Sequence, residues 1–373
     1  MSNHNDDDGG GGSNRSKEEE EEEEGRVGRG RLCVEVRNSD GQNIASELYA
    51  TYPTRLMVTS QPNNNYSYSH CDGKEEDEDE SSRRKALTCY VIGFGGGMIA
   101  GDAVVLDLMV KRGASLVATS QSTAKVFRST PTTTSNHKPS SLSCNTTSIH
   151  THATIQSDGL LVLVPQPSQC FAHSQLSQHT HILLDSTIPN TNTNGTVTGN
   201  SGTSSGGDPS LLLVDWCTGG RVYQEEGLWE MKSYRNLTTV SVRHPCAEER
   251  STTSLVFRDS TRLTGGLALK SHMRHYQVLC TVVLMGPKVQ TVAQTFLTTY
   301  SSRKDYHSHK RQKHNDNNNN NNNNNNPQLE DTLLVSCGTF PTTAGADDGV
   351  VLRLAATSLE TAGKKHHCTN SIK

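Results

Sequence analysis

The chain has 373 residues, of which 32% are apolar, 5% aromatic and 20% charged, and its net charge at pH 7 is −4. These fractions are low for a compact domain, so a normal core is diluted by segments that bury little. Outside the segments 1–30, 61–85 and 302–327 the chain is close to neutral, which argues against a nucleic-acid partner. The sequence contains no apolar run near the roughly 20 residues that span a bilayer, so we expect a cytoplasmic protein with no membrane partner.

Five segments lack any apolar period and are typical of a tail and loop insertions. Residues 1–30 combine a glycine run with acidic runs whose charges repel one another, and the segment has little apolar surface to bury. We therefore predict a disordered acidic tail over 1–30 and one β domain over 31–373. Polar or low-complexity inserts are predicted within that domain at 61–85, 129–148, 189–210 and 302–327, because long loops add little closure entropy.

Between these inserts the apolar residues form short runs rich in Val, Leu, Ile and Thr, several of them alternating. The runs that we predict as strands are 32–36, 88–92, 103–110, 115–119, 159–164, 180–184, 211–215, 238–242 and 278–284. A helix is predicted over 288–299, after Gly286 and Pro287, and a second short helix near Thr357 and Ser358. The predicted class is mostly β with one or two short helices.

A glycine-rich segment, Gly93-Phe-Gly-Gly-Gly-Met-Ile-Ala-Gly-Asp102, separates two of these runs. Such a loop could hold a phosphate with backbone N–H groups, but no Gly-Lys-Ser/Thr ending follows and the next element has the pattern of a strand. The favoured interpretation is a tight turn whose glycines take positive φ. On that interpretation valine at Gly96 or Gly101 should reduce the yield of soluble protein.

Two further patterns leave a functional and an ordinary interpretation open. Lys125 and Arg128, three residues apart after a predicted strand, could contact an acidic partner or could be solvated cations on an edge. The pairs His150/His152, His179/His181 and His307/His309 could chelate Ni²⁺, Cu²⁺ or Zn²⁺ if each pair shares a strand face. Ordinary surface histidines are the favoured interpretation, and His150 with His152 is the best-placed pair for a weak metal site.

The sequence contains few patterns typical of catalysis or of disulfides. The sequence has no Gly-x-Ser-x-Gly and no His-Glu-x-x-His, and its core carboxylates, among them Asp107 and Asp215, have no spacing that assigns an acid and a base. We therefore expect a protein that is not an enzyme. The ten cysteines are scattered without a Cys-x-x-Cys pair, which predicts reduced thiols, several of them buried in strands.

The ordered motifs resemble the family of the urease accessory protein UreD, also called UreH, in its eukaryotic form. The matching blocks follow one another from about Cys33 to about Glu360, interrupted by the inserts. They are 90–102 (YVIGFGGGMIAGD), 113–128 (GASLVATSQSTAKVFR), 163–171 (LVPQPSQCF), 213–221 (LVDWCTGGR), 275–287 (HYQVLCTVVLMGP) and 350–357 (VVLRLAAT).

This resemblance implies an extended, helically wound β architecture and a non-catalytic role. Family members act as a scaffold that binds apo-urease with a second accessory protein (UreF-like) and a nickel-carrying GTPase (UreG-like), and that assists nickel insertion into urease. It implies no tightly bound cofactor, with Ni²⁺ only in transit, and an internal passage for nickel whose ligands must be weak enough to release the ion.

The resemblance also selects candidate residues. The partner or nickel-path candidates within or beside the matching blocks are Gly96, Gly97, Gly101, Asp102, Gln121, Lys125, Arg128, Arg221, Glu225 and Glu226. Two departures from the family pattern stand out. The order Glu225-Glu226-Gly227 leaves open which glutamate takes the family position, and the C-terminal residues lack the apolar period of a docked helix.

The sequence leaves two functions open besides the scaffold role that the resemblance implies. One is a metal-binding or metal-storage protein built on the histidine pairs, which should hold nickel tightly in isolation. The other is a hydrolase whose site cannot be recognised from residue spacing, which should turn over a substrate alone.

Overall fold

The computed structural model describes residues 27–59, 85–93, 95–128, 146–186, 207–221, 227–244, 252–301, 333–341 and 349–358. Two β-sheets dominate this part of the chain. Sheet A has seven strands in the order β14-β13-β11-β8-β5-β1-β2, and sheet B has ten, eight of them in the order β16-β17-β15-β12-β9-β6-β4-β3. The remaining two, β7 and β10, pair with each other and β10 also with β12.

The strands in chain order are β1 Val27–Val36, β2 Asn43–Ala50, β3 Thr54–Thr59, β4 Leu87–Gly93, β5 Ala103–Val110, β6 Ser115–Ser120, β7 Ala124–Val126, β8 Thr147–Gln156, β9 Leu160–Val164, β10 Ser168–Cys170, β11 Gln175–Asp185, β12 Ser210–Thr218, β13 Ser233–His244, β14 Thr252–Leu263, β15 Val278–Met285, β16 Leu333–Phe340 and β17 Gly349–Ala356. All nine predicted strands are confirmed, most of them extended by a few residues.

The chain winds between the two sheets. From β4 to β13 it places β4, β6, β9 and β12 side by side and parallel in sheet B, and β5, β8, β11 and β13 side by side and parallel in sheet A. Each coil therefore adds one strand to each sheet. Antiparallel strands close the edges: β2 and β14 in sheet A, and β3 and the group β15-β17-β16 in sheet B. The helically wound β architecture is confirmed.

The main core fills the space between the sheets. Alternate residues of the winding strands point inward, as in Leu106, Leu108 and Val110 of β5 and Leu161 and Leu163 of β9. Their outward neighbours face solvent or the second layer, so a two-residue period appears wherever one sheet face is exposed.

Two helices lie in the described residues: α1 at Leu267–Met273 and α2 at Gln290–Ser301, the latter after a 3₁₀ turn at Pro287–Val289. The predicted helix over 288–299 is confirmed. Its Ala293 and Phe296 pack with Val289 on the outer face of sheet B, against Leu212 and Leu284 among others. This second layer explains why β12 begins with consecutive buried residues on both of its faces.

The second predicted helix, expected to start near Thr357 and Ser358, stays a prediction. Thr357 and Ser358 form a bend after β17, and residues 359–373 lie outside the described chain. A different short helix, which the sequence did not predict, occurs at α1, none of whose residues is buried. Only Leu269 and Met273 of this seven-residue helix pack, partly buried, against the core, and two apolar contacts are too few for periodicity to indicate a helix.

The predicted domain boundaries need correction at three points. β1 begins at Val27, inside the predicted tail, because residues 27–30 pair with Ala103–Leu106 of β5. Gly28 and Gly30 occupy its inward positions, where a Cβ on Gly28 would collide with Thr54, so the strand shows no apolar alternation. Thr147 and Ser148 begin β8 and Ser210 begins β12. The insert at 302–327 and most of the other three lie outside the described residues.

The described part of the chain contains no helix long and apolar enough to cross a membrane. Its cysteines agree with the predicted reduced thiols: Cys33, Cys89, Cys170, Cys217 and Cys280 are buried and Cys337 is half-buried.

Candidate functional site

A cavity of about 550 Å³ lies between the sheets at one end of the winding strands. Sheet B contributes the ends of β4, β6 and β9 and the middle of β12, and sheet A contributes the first halves of β5, β8 and β11. Residues on its wall include Val91, Gly95, Gly96, Gly97, Met98, Asp102, Thr119, Lys125, Thr151, Leu163, Ser168, Gln178, Thr180, Leu213, Asp215 and Trp216.

The cavity is elongated across the sheets. β4, β6, β9 and β12 are consecutive neighbours in sheet B, and adjacent strands lie about 4.8 Å apart. The wall from Val91 on β4 to Asp215 on β12 therefore spans roughly 14 Å. One end opens beside the glycine-rich turn, where Gly95, Gly96 and Lys125 are exposed.

Oxygen atoms are frequent on this wall. Thr151, Gln178 and Thr180 face it from sheet A, and Thr119, which donates to the Val164 carbonyl at 2.7 Å, faces it from sheet B. Within the described residues, Thr54 Oγ1 and Gln178 Oε1 are buried on the wall without a hydrogen-bond partner. Buried polar atoms normally have partners, so these oxygens are suited to contact water or a hydrated ion.

Asp215 supplies a carboxylate at the inner end of the cavity. It lies on β12, where Asn236 and Thr238 of β13 donate hydrogen bonds to its Oδ2, the second at 3.3 Å. Burial raises the pKa of the Asp215 carboxyl from 3.8 to about 6, opposed by these hydrogen bonds and aided by the negative charge of Asp259. At neutral pH the carboxyl is mostly ionised, and a proton returns to it at only slightly lower pH.

Thiols close to Asp215 in the fold stay protonated. Burial raises the pKa of Cys170 to about 12 and that of Cys217 well above its ordinary value. The thiolate is the form that binds metals tightly. These side chains therefore act as core residues, packed with Trp229 and Tyr234.

The glycine-rich turn forms the mouth of the cavity. Gly95, Gly97 and Gly101 have positive φ, as predicted, but Gly96 does not. A Cβ at Gly97 would lie 2.6 Å from both the Lys125 carbonyl oxygen and the Phe127 ring, whereas a Cβ at Gly96 would meet nothing within 4 Å. The expectation that Gly96 requires a glycine conformation was therefore wrong, because the strained positions of the turn are its neighbours.

Backbone hydrogen bonds connect this turn to β7. Met98 N–H donates to Lys125 O at 2.7 Å, and Phe127 N–H donates to Met98 O at 2.9 Å. Asp102, half-buried on the cavity wall, accepts a hydrogen bond of 2.7 Å from Ile99 N–H through Oδ2. Asp102 thus holds the turn as well as facing the cavity.

The predicted cations lie beside the same mouth. Lys125 is on the cavity rim, and Arg128 follows it as an exposed residue. Phe127 packs edge-on against Phe171, with ring centroids 5.3 Å apart, and Arg221 Cζ lies 5.1 Å from the centroid of Phe171. The two predicted segments around Lys125 and Arg221 are therefore brought together through this aromatic pair.

The other predicted residues divide into two groups. Gln121 is exposed at the end of β6 and is not on the cavity wall. His150 and His152 lie on β8 opposite to the cavity side, because their neighbours Ile149 and Thr151 line the cavity. Glu225 and Glu226 lie outside the described residues, so their prediction stays untested.

No sequence motif assigned a role to Asp215 or Gln178. Asp215 was identifiable as the carboxylate inside the apolar run 211–216, since an acidic residue within a buried strand requires a partner or a function. Gln178 has no comparable signal, because it lies in a mixed polar strand. In the described residues, no three His, Cys, Asp or Glu side chains are arranged to hold a metal ion.

Replacing Asp215 with asparagine should change the pH dependence of stability. Between pH 3.8 and about 6 the folded protein keeps a proton that the unfolded chain has released, so the raised pKa lowers the free energy of unfolding as pH rises. The asparagine side chain does not titrate, so the variant loses this dependence. We expect its stability relative to wild type to rise by about 2 kcal/mol between roughly pH 4.5 and pH 7.5. Urea unfolding at both pH values measures this, and a pH-independent difference would contradict it.

Comparison with known proteins agrees with these motifs. The family model described as "UreD urease accessory protein" matches residues 28–188. "Urease accessory protein D" of Arabidopsis thaliana is 24% identical over 341 residues, which cover 88% of this chain and 90% of that protein. "Urease accessory protein 4" of Cryptococcus neoformans is 27% identical over 286 residues, covering 71% and 72%. "Urease accessory protein UreD" of Sorangium cellulosum is 29% identical over 214 residues, covering 57% and 54%. The family-model match over residues 28–188 and the similarity to plant, fungal and bacterial relatives agree with the ordered motif blocks, and the chain is similar to the UreD urease accessory proteins.

Proposed function

We propose that this protein is a non-catalytic urease maturation factor that conducts Ni²⁺ through the cavity between its sheets towards the urease active site. The relatives are named as urease accessory proteins, and the single observation that carries the nickel path is the elongated cavity that ends at Asp215. Ni²⁺ is cargo in this proposal, and apo-urease, a UreF-like protein and a UreG-like GTPase are the partners.

The donor atoms on the cavity wall suit an ion that must leave again. A lone carboxylate with hydroxyl and amide oxygens binds a late first-row cation less tightly than thiolates or several imidazoles do. The buried thiols of Cys170 and Cys217 remain protonated and so do not trap the ion. Each tenfold gain in affinity slows release about tenfold at a fixed on-rate, so weak ligands favour transfer over storage.

The cavity mouth supports docking of a partner. Tyr52 and Ile99 are 71% and 54% exposed beside the glycine-rich turn. Lys125 adds a positive charge to the same rim. Exposed aromatic and aliphatic side chains next to a charge are typical of a protein interface. A partner seated here would cover the opening, so an ion entering the cavity would pass between proteins without returning to bulk water.

The nickel content of urease tests this function. We expect urease matured with the Asp215→Asn variant at limiting nickel to contain at least about threefold less nickel than urease matured with wild type, a difference of roughly 0.7 kcal/mol or more. The reason is that the carboxylate at the inner end of the cavity loses its charge. The matched control is Asp40→Asn in the β1–β2 turn, an exposed residue paired with Arg37, which should leave the nickel content unchanged.

Co-purification separates transfer from assembly. The Asp215→Asn variant should still bind urease and the accessory partners, because the changed residue lies inside the protein. Normal nickel content with this variant would overturn the cavity path. Loss of both nickel and complex formation would show that Asp215 supports the fold instead.

The competing functions predict different results with the isolated chain. A storage protein should retain Ni²⁺ after desalting, and a hydrolase should turn over substrate without partners. A maturation factor should do neither, and gel filtration followed by metal analysis measures the first of these differences.

A further inference from the structure

Four histidines form a compact array on the outer face of sheet A. His150 and His152 lie on β8, and His179 and His181 lie on the adjacent parallel strand β11. The register pairs His150 with His179 and His152 with His181. The two His-x-His motifs, separated in sequence by a complete coil of the fold, therefore become neighbours across the sheet.

The imidazoles that approach each other belong to different strands. Ring centroids lie 6.0 Å apart for His150 and His179, and 6.2 Å apart for His152 and His181, in both cases nearly edge to face. Two imidazole nitrogens on one cation at about 2.0–2.1 Å each are separated by roughly 3 Å. Rotation of the two rings towards a shared point brings one nitrogen of each ring to this separation, because the two histidines lie on adjacent strands about 4.8 Å apart.

The surroundings of His152 and His181 favour this pair over the other. Thr239 Oγ1 lies 2.9 Å from His181 Nδ1, which orients the ring and leaves Nε2 for a ligand bond. Asp107 of β5 is in register with His152 on the other side, on the same sheet face. The Asp107 carboxylate adds negative charge beside the exposed His152 imidazole. Arg31 of β1 is in register with Asp107 and pairs with Glu47 at 3.5 Å.

We propose that His152 and His181 form a cross-strand site on the outer face of sheet A for a late first-row divalent cation, with water completing its coordination. Imidazole ligands select Ni²⁺, Cu²⁺ and Zn²⁺ over Mg²⁺ and Ca²⁺. The site lies on the face of the sheet opposite to the cavity, whose wall carries the alternate residues Ile149 and Thr151. It is therefore separate from the nickel path, and it does not depend on a role in urease maturation.

Calorimetric titration of the full chain with Ni²⁺ tests the proposal. The double variant His152→Gln with His181→Gln should lose the tightest binding event, with affinity lowered at least about tenfold, whereas Mg²⁺ should give no signal with either protein. The matched control is His307→Gln with His309→Gln, the other His-x-His pair, which should retain that event. Equal Ni²⁺ affinity in the first variant and wild type would overturn the proposal, as would loss of the event only in the control.

Thermal unfolding provides a second measurement. A cation that bridges β8 and β11 binds the folded chain only, so Ni²⁺ should raise the melting temperature of wild type and of the control variant but not of the first variant. If circular dichroism shows that the double variant does not fold, His152→Gln alone replaces it, since His152 is exposed. A melting temperature of that single variant that still rises with Ni²⁺ as in wild type would contradict the site.

Discussion

Replacing Gly97 with valine is expected to remove most of the soluble protein. Gly97 has φ +152°, a conformation that side chains rarely adopt, and a Cβ would collide with the Lys125 carbonyl and the Phe127 ring. Backbone strain costs about 1–3 kcal/mol and overpacking adds about 1–3 kcal/mol, which is a large part of a typical stability of about 5–15 kcal/mol. Soluble yield and melting temperature measure the effect.

Gly96 is the matched control for this prediction. It is the preceding residue of the same turn, but its φ is not positive and a Cβ would meet nothing within 4 Å. Gly96→Val should therefore give normal yield and a melting temperature within a few degrees of wild type. If both variants fold equally well, the close approach of the turn to β7 is not needed for the fold.

Reversing the charges of Lys125 and Arg128 is expected to weaken assembly with apo-urease or the accessory partners at least tenfold, about 1.4 kcal/mol. Both residues are exposed beside the cavity mouth, while Phe127 between them is packed on Phe171. The variant Lys125→Glu with Arg128→Glu should thus fold normally. Charge reversal replaces attraction to an acidic surface with repulsion, which affects binding more than stability.

Co-purification and circular dichroism together check this expectation. Lys232→Glu with Arg235→Glu is the control, because it reverses two exposed charges three residues apart at the start of β13. That variant should assemble normally. Assembly that is unchanged in both variants would show that Lys125 and Arg128 are solvated cations, the ordinary interpretation of the sequence pattern.

The strands could be predicted because each strand of the winding fold has one face towards the core and one face away from it. Residues such as Leu106, Leu108 and Val110 repeat with a period of two because one side of β5 faces the core and the other faces outward. The first strand was harder to recognise. Gly28 and Gly30 replace apolar side chains at inward positions of β1, so the beginning of that strand looked like part of a polar tail.

The candidate site could be predicted only in part. The mouth was identifiable from the glycine-rich segment and the neighbouring cations, since both lie within contiguous motifs. The inner end was not, because Asp215 comes from β12 and its hydrogen-bond donor Asn236 comes from β13 of the other sheet. Sequence separation gives no sign of this contact, and the buried environment that raises the Asp215 pKa exists only after both sheets have packed.

The sequence by itself determined the class of fold, the glycine-rich turn and the resemblance to the UreD family, because these depend on local periodicity, turn chemistry and motif order. The tertiary structure decided which residues meet across strands. It placed His152 beside His181 and turned both away from the cavity, and it showed that Gly97 rather than Gly96 requires glycine. The physical reason is that strand register and sheet stacking are set by the packing of the whole core, so contacts between strands distant in sequence are not encoded in any one segment.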